Sequence, residues 1–312
     1  MSTRRVALIG GTGFIGTELV HRLAERVDEV VVLTRRAQRV RSLRVLPNVR
    51  VRETRVHEAD DLARAVAGSD VVVNLVGILN ESGSSTFESA HVGLTEKALA
   101  ACRAGGVPRY LHMSALNADA ENGSSEYLRS KGRAEDLVRA ADASIAWTIF
   151  RPSIVFGEKD AFFNRFAGLL RALPVFPLAV PDARMAPVWI GDVCRVMIDA
   201  MDDPDTVGET LSLCGPATYT LRELVEYTAR ASDLDRTVVG LPDWAARLQA
   251  KVMGLVPGKP FSTDNYLSLQ TDSVCPEGCP RQPTSLDAIV PRYLGRRDWA
   301  GRLQRRRASA RR

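Results

Sequence analysis

The chain has 312 residues, 45% of them hydrophobic, with 42 Lys and Arg against 37 Asp and Glu for a formal net charge of +5. That length and apolar share exclude a disordered polyelectrolyte and allow one large core or two small ones, and no run approaches the ~18 apolar residues of a membrane span. The positive charge sits at one end: from Pro291 onward Arg292, Arg296, Arg297, Arg302, Arg305, Arg306, Arg307, Arg311 and Arg312 face Asp298, so a tail of +8 follows a body of −3, which is not a body built for nucleic acid.

Three residues separate Met1 from the first strand, too few for a secretory leader, and a cytoplasmic location is expected. The strand from Arg5 runs into Gly10-Gly11-Thr12-Gly13-Phe14-Ile15-Gly16 and then into a helical pattern, Phe14 to Ala24. Gly11, Gly13 and Gly16 fit GxGxxG and Gly10, Gly13 and Gly16 fit GxxGxxG. In that context the turn reads as a dinucleotide site, with helix N-terminal N–H groups meeting the phosphates. Glu29 to Leu33 is the second strand, followed by Thr34-Arg35-Arg36. An acid at this tip would favour NAD(H); Arg35 and Arg36 instead suit the 2′-phosphate of NADP(H), so NAD(H) is the less favoured cofactor.

Leu62 to Ala67 is predicted as a helix and Val71 to Leu75 as a strand ending in Asn74-Leu75-Val76-Gly77. Gly77 there permits close backbone approach to a cofactor, with Asn74 and Val76 as neighbouring candidates. A helix over Thr95 to Ala104 leads to the strand Arg109 to Met113, which Ser114 ends. The next helix, Tyr127 to Ala140, places Tyr127 and Lys131 four apart on one face. A tyrosine, ordinarily titrating near ~10, is a poor base at neutral pH unless an ammonium stabilises its phenolate. Lys131 supplies that charge, and Ser114 could polarise a substrate oxygen. Strands at Ala146 to Phe150 and Leu211 to Cys214 complete a βαβ alternation, which predicts a doubly wound parallel sheet of Rossmann type. Residues 1–157, continued by 188–215, form this body; 158–187 and 216–290 form a smaller cap; 291–312 form the basic tail.

Five cysteines, Cys102, Cys194, Cys214, Cys275 and Cys279, are an odd and scattered set, read as reduced thiols. The Cys275/Cys279 pair lacks a second ligand pair, so no metal site is predicted. His91, His112, Phe162, Phe163 and Phe166 are read as packing residues. Leu241 to Val256 has Trp244, Leu248, Met253 and Leu255 roughly along one side and Arg247 and Lys251 nearer the other. Such a helix covers a core or rests on a bilayer, and core covering is the expectation. The tail is open to three readings: a solvated end, an acidic partner, or an anionic membrane surface, the last placing the protein on the inner face of the cytoplasmic membrane.

GGTGFIG, NLVG, HMSALNA, YLRSK and FRPSIVFGEKDAFFNRF, in that order from Val6 to about Leu213, resemble the extended or atypical branch of the short-chain dehydrogenase/reductase superfamily. Ser114-Ala-Leu-Asn117-Ala, Tyr127-Leu-Arg-Ser-Lys131, Phe156-Gly-Glu-Lys-Asp160 and Pro187-Val-Trp-Ile-Gly-Asp192 look most like the Rossmann-type accessory subunit of respiratory complex I and its bacterial relatives. The resemblance implies bound NADP(H) and catalytic roles for Ser114, Tyr127 and Lys131, with Lys131 also reaching the nicotinamide ribose. It further implies that Arg151 to Val155, including Pro152 and Val155, passes beside the nicotinamide. Three departures stand out: the shifted acids of Glu53 to Asp61, His91 where catalytic members often carry Asn, and Trp189 at a position often aromatic or His. The functions implied are a quinone-linked or membrane-peripheral oxidoreductase of a small-molecule substrate, a non-catalytic accessory of a respiratory or quinone-synthesis complex, or a nucleotide-sugar epimerase or dehydratase.

Overall fold

The computed structural model describes residues 4–256 and 261–295. The described residues of Met1–Pro152 with Val193–Ser212 form one compact unit, and those of Ser153–Asp192 with Leu213–Arg312 form the other.

The first unit carries β1 (Arg5–Ile9), α1 (Phe14–Leu23), β2 (Glu29–Thr34), β3 (Val49–Glu53), α2 (Ala59–Val66), β4 (Val71–Asn74), α3 (Leu94–Gly105), β5 (Arg109–Met113), α4 (Glu126–Arg139) and β6 (Ala146–Pro152). With β11 (Glu209–Leu213) the strands form one seven-stranded sheet in the order β11-β6-β5-β4-β1-β2-β3. β1 pairs in parallel with both β2 and β4, with Ile9 opposite Leu33 on one side and Asn74 on the other. The strand order therefore reverses between β1 and β4, and ligands of such sheets bind beyond the carboxyl ends of the strands at this point. Near-continuous valine and leucine runs make the central strands, as a parallel sheet covered on both faces requires. Ala7, Ile9, Val31, Leu33, Val72, Tyr110 and Ile149 pack against Leu62 and Val66 of α2 and Leu94, Ala98 and Cys102 of α3. The alternate set, Val6, Leu8, Val30 and Val32, is equally buried, as are Leu19, Val20 and Leu23 of α1. β3 was not apparent from the sequence. Its Val-Arg-Val-Arg-Glu has only Val49 buried, the pattern of an edge strand with wet charges and not of a continuous apolar run.

The second unit contains β7 (Val155–Phe156), α5 (Phe162–Ala172), β8 (Val175–Leu178), β9 (Arg184–Met185), β10 (Val188–Trp189), β12 (Tyr219–Thr220), α7 (Leu221–Ala231), β13 (Thr237–Gly240), α8 (Asp243–Gly254) and α9 (Thr263–Ser268), while α6 (Ile190–Asp199) runs across the division. Phe156, Phe163, Leu170, Phe176, Met185, Leu224 and Val290 form its core. Phe162, Phe163 and Phe166 pack edge to face within it, as their reading as packing residues anticipated. Residues 286–295 are helical and bring Tyr293 and Leu294 into the same core. The arginines from Arg296 onward lie outside the described residues.

Two expectations are corrected. Cys214 and Cys275 form a disulfide with Cα atoms 5.9 Å apart, leaving Cys102, Cys194 and Cys279 as the free thiols. Spacing could not disclose the pair, because 61 positions separate them and tertiary contacts such as Gln282 N–H to the Cys214 carbonyl hold the C-terminal segment there. The second is α8, whose buried contacts are Ala246 and Ala250 while Trp244, Leu248 and Val252 face solvent. The large apolar side does not cover the core.

Candidate functional site

The glycine turn is held by its own backbone. Gly10 leaves β1 at φ +85°, a conformation open to glycine, and its carbonyl accepts from the Gly13 N–H at 3.0 Å. A Cβ at Gly16 would stand 2.4 Å from the Gly10 oxygen, so α1 packs directly on the turn. Gly13, the N-cap of α1, supplies no side-chain acceptor, and the first turn has no acid. Thr12 and Gly13 are exposed, Phe14 and Ile15 half-buried, and Gly11 and Gly16 buried beneath. The helix end therefore presents N–H groups and the positive end of its dipole outward, with no carboxylate to neutralise it.

Above the turn opens a cleft of about 670 Å³, lined by Gly10 and Thr12 on its floor, by Thr34, Arg35 and Arg36 beyond β2, and by Val56, His57, Val76 and Ile78. Both arginines are exposed. Burial, then Lys97 and Arg35, hold His57 below the ordinary imidazole range, with Glu58 pulling the other way. Of the acids in the segment Glu53 to Asp61, Glu53 accepts from the Ala37 N–H at 3.3 Å, next to the arginines, and Asp61 is engaged away from the cleft. Asp61 pairs with Arg55 at 2.7 Å and with Arg64, and the wall position is taken by Val56 and His57. The cradle that a Cβ would fill fits the close approach of a dinucleotide's diphosphate to the turn.

Asn74 braces this site from inside. Its amide nitrogen donates to the Tyr110 hydroxyl at 3.1 Å and the Thr95 hydroxyl at 3.4 Å, and its oxygen accepts from the Val76 N–H. It shapes the strand end without reaching into the cleft. Val76 and Gly77 carry the backbone past Lys131, and a Cβ at Gly77 would lie 3.2 Å from the Lys131 Nζ.

Ser125 caps α4 by accepting from the Leu128 N–H, so Tyr127 lies in the first turn and Lys131 one turn later. The Lys131 ammonium is buried and donates to the Met113 carbonyl at 2.9 Å and the Val76 carbonyl at 3.3 Å, bridging the ends of β5 and β4. Burial lowers its pKa to about 8, with Glu135 pulling the other way. Tyr127 is half-buried and forms an edge-on aromatic set with Phe87 and His91.

His91 sits in a π-helical turn, Glu88–Gly93, a departure from α geometry common at functional sites. Its Nε2 accepts from the Ile78 N–H at 3.1 Å. The Ser130 hydroxyl donates to the Tyr127 carbonyl, so His91 Nδ1 must donate to Ser130, 2.8 Å away. Burial, then Lys131, lowers this imidazole to about 2 and keeps it neutral. His112, on β5, is buried with no hydrogen-bond partner for either ring nitrogen among the described residues. Burial and Lys131 lower it to about 3. Both histidines pack, as expected, but His91 also positions the helix face behind Tyr127.

Ser114 is buried and its hydroxyl donates to Glu135 Oε1. Glu135, fully buried on α4, is clasped by Arg151 and Arg139, and Arg151 also donates to the Ala118 carbonyl. Sequence reading missed Glu135, although its i, i+4 position after Lys131 was the available signal. Pro152 ends β6 in the first unit, and Val155 stands in β7 of the second.

A family model described as NAD(P)H-binding matches residues 10–162. The chain is 31% identical over 293 residues to the mitochondrial NADH dehydrogenase [ubiquinone] 1 alpha subcomplex subunit 9 of Mus musculus, covering 90% of this chain and 77% of that protein. It is 29% identical to the ceramide reductase of Caulobacter vibrioides, over 76% of this chain and 74% of the other. The UDP-glucuronic acid 4-epimerase of Bacillus cereus, solved with UDP-glucuronic acid and NAD, superposes with a TM-score of 0.69 at 18% identity, covering 94% of this chain and 99% of that one; this likeness concerns the fold. Among the described residues no helix is long and apolar enough to cross a membrane. The chain belongs to the family of that complex I subunit, an extended short-chain dehydrogenase/reductase type with an NAD(P)-binding Rossmann-like domain.

Proposed function

We propose that the protein is an NADP(H)-dependent oxidoreductase working at the membrane periphery, on the inner face of the cytoplasmic membrane, with a quinone-class small molecule as substrate. The observation that carries this reading is Lys131, buried and tied between the carboxyl ends of β4 and β5, with Tyr127 one turn before it on α4. Gly10, Gly11, Thr12, Gly13 and the first N–H groups of α1 through Phe14, Ile15 and Gly16 hold the diphosphate. Arg35 and Arg36 take the 2′-phosphate, favouring NADP(H) over NAD(H). When bound, the cofactor supplies the hydride.

The chain's own residues handle the proton. Lys131, one helical turn from Tyr127, supplies the positive charge that would favour a phenolate there, and the phenolic oxygen is the group assigned to give or take the proton. Ser114, whose hydroxyl hydrogen is directed at Glu135, meets a substrate as hydrogen-bond acceptor, which suits a hydroxyl such as that of a reduced quinone.

That same hydrogen bond favours a second reading, in which the nucleotide is a permanent structural ligand and the protein serves a respiratory or quinone-handling assembly. Kinship with a complex I subunit supports such a partner. Mass spectrometry of nucleotide retained by the purified protein, followed by NADPH absorbance with soluble quinone analogues, separates the two. Oxidation abolished by Tyr127→Phe supports the enzyme. Retained NADPH that no quinone oxidises supports the structural role and rejects the first reading.

A further inference from the structure

We propose that α8 is a bilayer-docking helix whose exposed apolar stripe sinks into the headgroup boundary of an anionic membrane. This rests on the membrane-peripheral part of the reading above and names the surface that would carry it.

On a 3.6-residue turn Trp244, Leu248, Val252 and Leu255 fall within an arc of about 80°. Trp244 is 69% exposed, Leu248 and Val252 56% each, and Leu255 87%. The opposite side carries Ala246 and Ala250, which pack with Ala179 and Tyr266, so the helix turns its small residues inward and its large ones out. A core-covering helix does the reverse. Scattered exposed aliphatics are ordinary, but a continuous stripe of this kind marks an interaction surface.

The occupant follows from charge. Arg247 and Lys251, both exposed, border one edge of the arc. Arg247 is shared with Asp243 at 2.8 Å, while Lys251 has no carboxylate partner among the described residues. Apolar side chains flanked by cations on one helix are the pattern of an interfacial helix, the indole lying at the headgroup level and the basic ends meeting lipid phosphates. The sequence from Pro291 adds nine arginines against one acid to the same chain. An anionic bilayer complements this excess, whereas a second copy of the chain would bring like charge to like.

Full-length protein is floated with phosphatidylcholine vesicles containing phosphatidylglycerol, and with vesicles of phosphatidylcholine alone. Wild type is expected to float with the anionic vesicles, and Leu248→Asp/Val252→Asp to reduce the bound fraction by about tenfold or more. Unaltered thermal unfolding of the variant would exclude misfolding as the cause. Brominated lipid in the vesicles is expected to quench wild-type tryptophan emission and to quench Trp244→Phe markedly less. Binding retained in the double variant, quenching equal in wild type and Trp244→Phe, or a wild-type dimer that the substitutions disperse would each overturn the proposal, the last in favour of a second copy. NADPH binding measured without vesicles separates this result from the oxidoreductase reading, since either can fail alone.

Discussion

The Ser114 hydroxyl donates to Glu135 Oε1, across from a strand end to the third turn of α4, and Glu135 in turn holds Arg151 and Arg139. A buried carboxylate between two guanidiniums is costly to break, because removing its charge takes the ion pair from half-buried Arg151 and leaves Arg139 with Asp136 alone. Glu135→Gln is expected to destabilise the protein by about 3 kcal/mol, and Ser114→Ala by about 1 kcal/mol. Denaturant melts of both variants check the order; equal losses would mean that the carboxylate does not anchor the network.

Coenzyme choice is expected to rest on two exposed arginines. Arg35→Glu/Arg36→Glu should weaken NADPH binding by at least about tenfold while leaving NADH within about threefold, since a bidentate phosphate contact is lost and repulsion gained. Fluorescence titration with both nucleotides reads this directly, and a parallel loss of both would place the 2′-phosphate elsewhere.

At Gly16 the neighbour of any added Cβ is backbone, 2.4 Å away at the Gly10 carbonyl. Gly16→Ala should therefore push α1 off the turn, costing about 1–3 kcal/mol and abolishing nucleotide binding. Gly168, where a Cβ meets nothing within 4 Å, provides the control: Gly168→Ala should preserve nucleotide binding. Calorimetric unfolding with and without nucleotide tests the pair.

Acid should destabilise this fold early. His91 titrates at about 2 and His112 at about 3 in the folded chain, both below the ordinary 6.5. The unfolded chain therefore binds more protons between those values, so stability is full above pH 6.5 and is lost as pH falls toward 3. His112→Leu removes two unpartnered buried nitrogens and should raise stability by about 1 kcal/mol at neutral pH, with a shallower acid slope. Circular-dichroism acid titrations would show an unchanged slope if His112 were not buried neutral.

The Cys214–Cys275 disulfide closes a long loop in the second unit. Reduction, or Cys214→Ser, is expected to lower stability by about 2–4 kcal/mol. Thermal melts with and without reductant check this, and identical melts would mean the thiols are not joined in solution.

Local pattern by itself determined the Rossmann body: continuous valine runs ending in Gly10 and Gly77, helices between them, and the i, i+4 pairing of Tyr127 with Lys131 are all legible within a few residues of chain. The edge strand Val49–Glu53 escaped because alternating arginines hide a strand with one wet face. Only the tertiary structure decided what long-range contact decides. It joined Cys214 to Cys275 across 61 positions and turned the Ser114 hydroxyl to donate to Glu135. It also turned Ala246 and Ala250 of α8 inward, leaving Trp244 and Leu248 in solvent. Periodicity reports that a helix has an apolar side; which side is buried depends on what the rest of the chain packs against it.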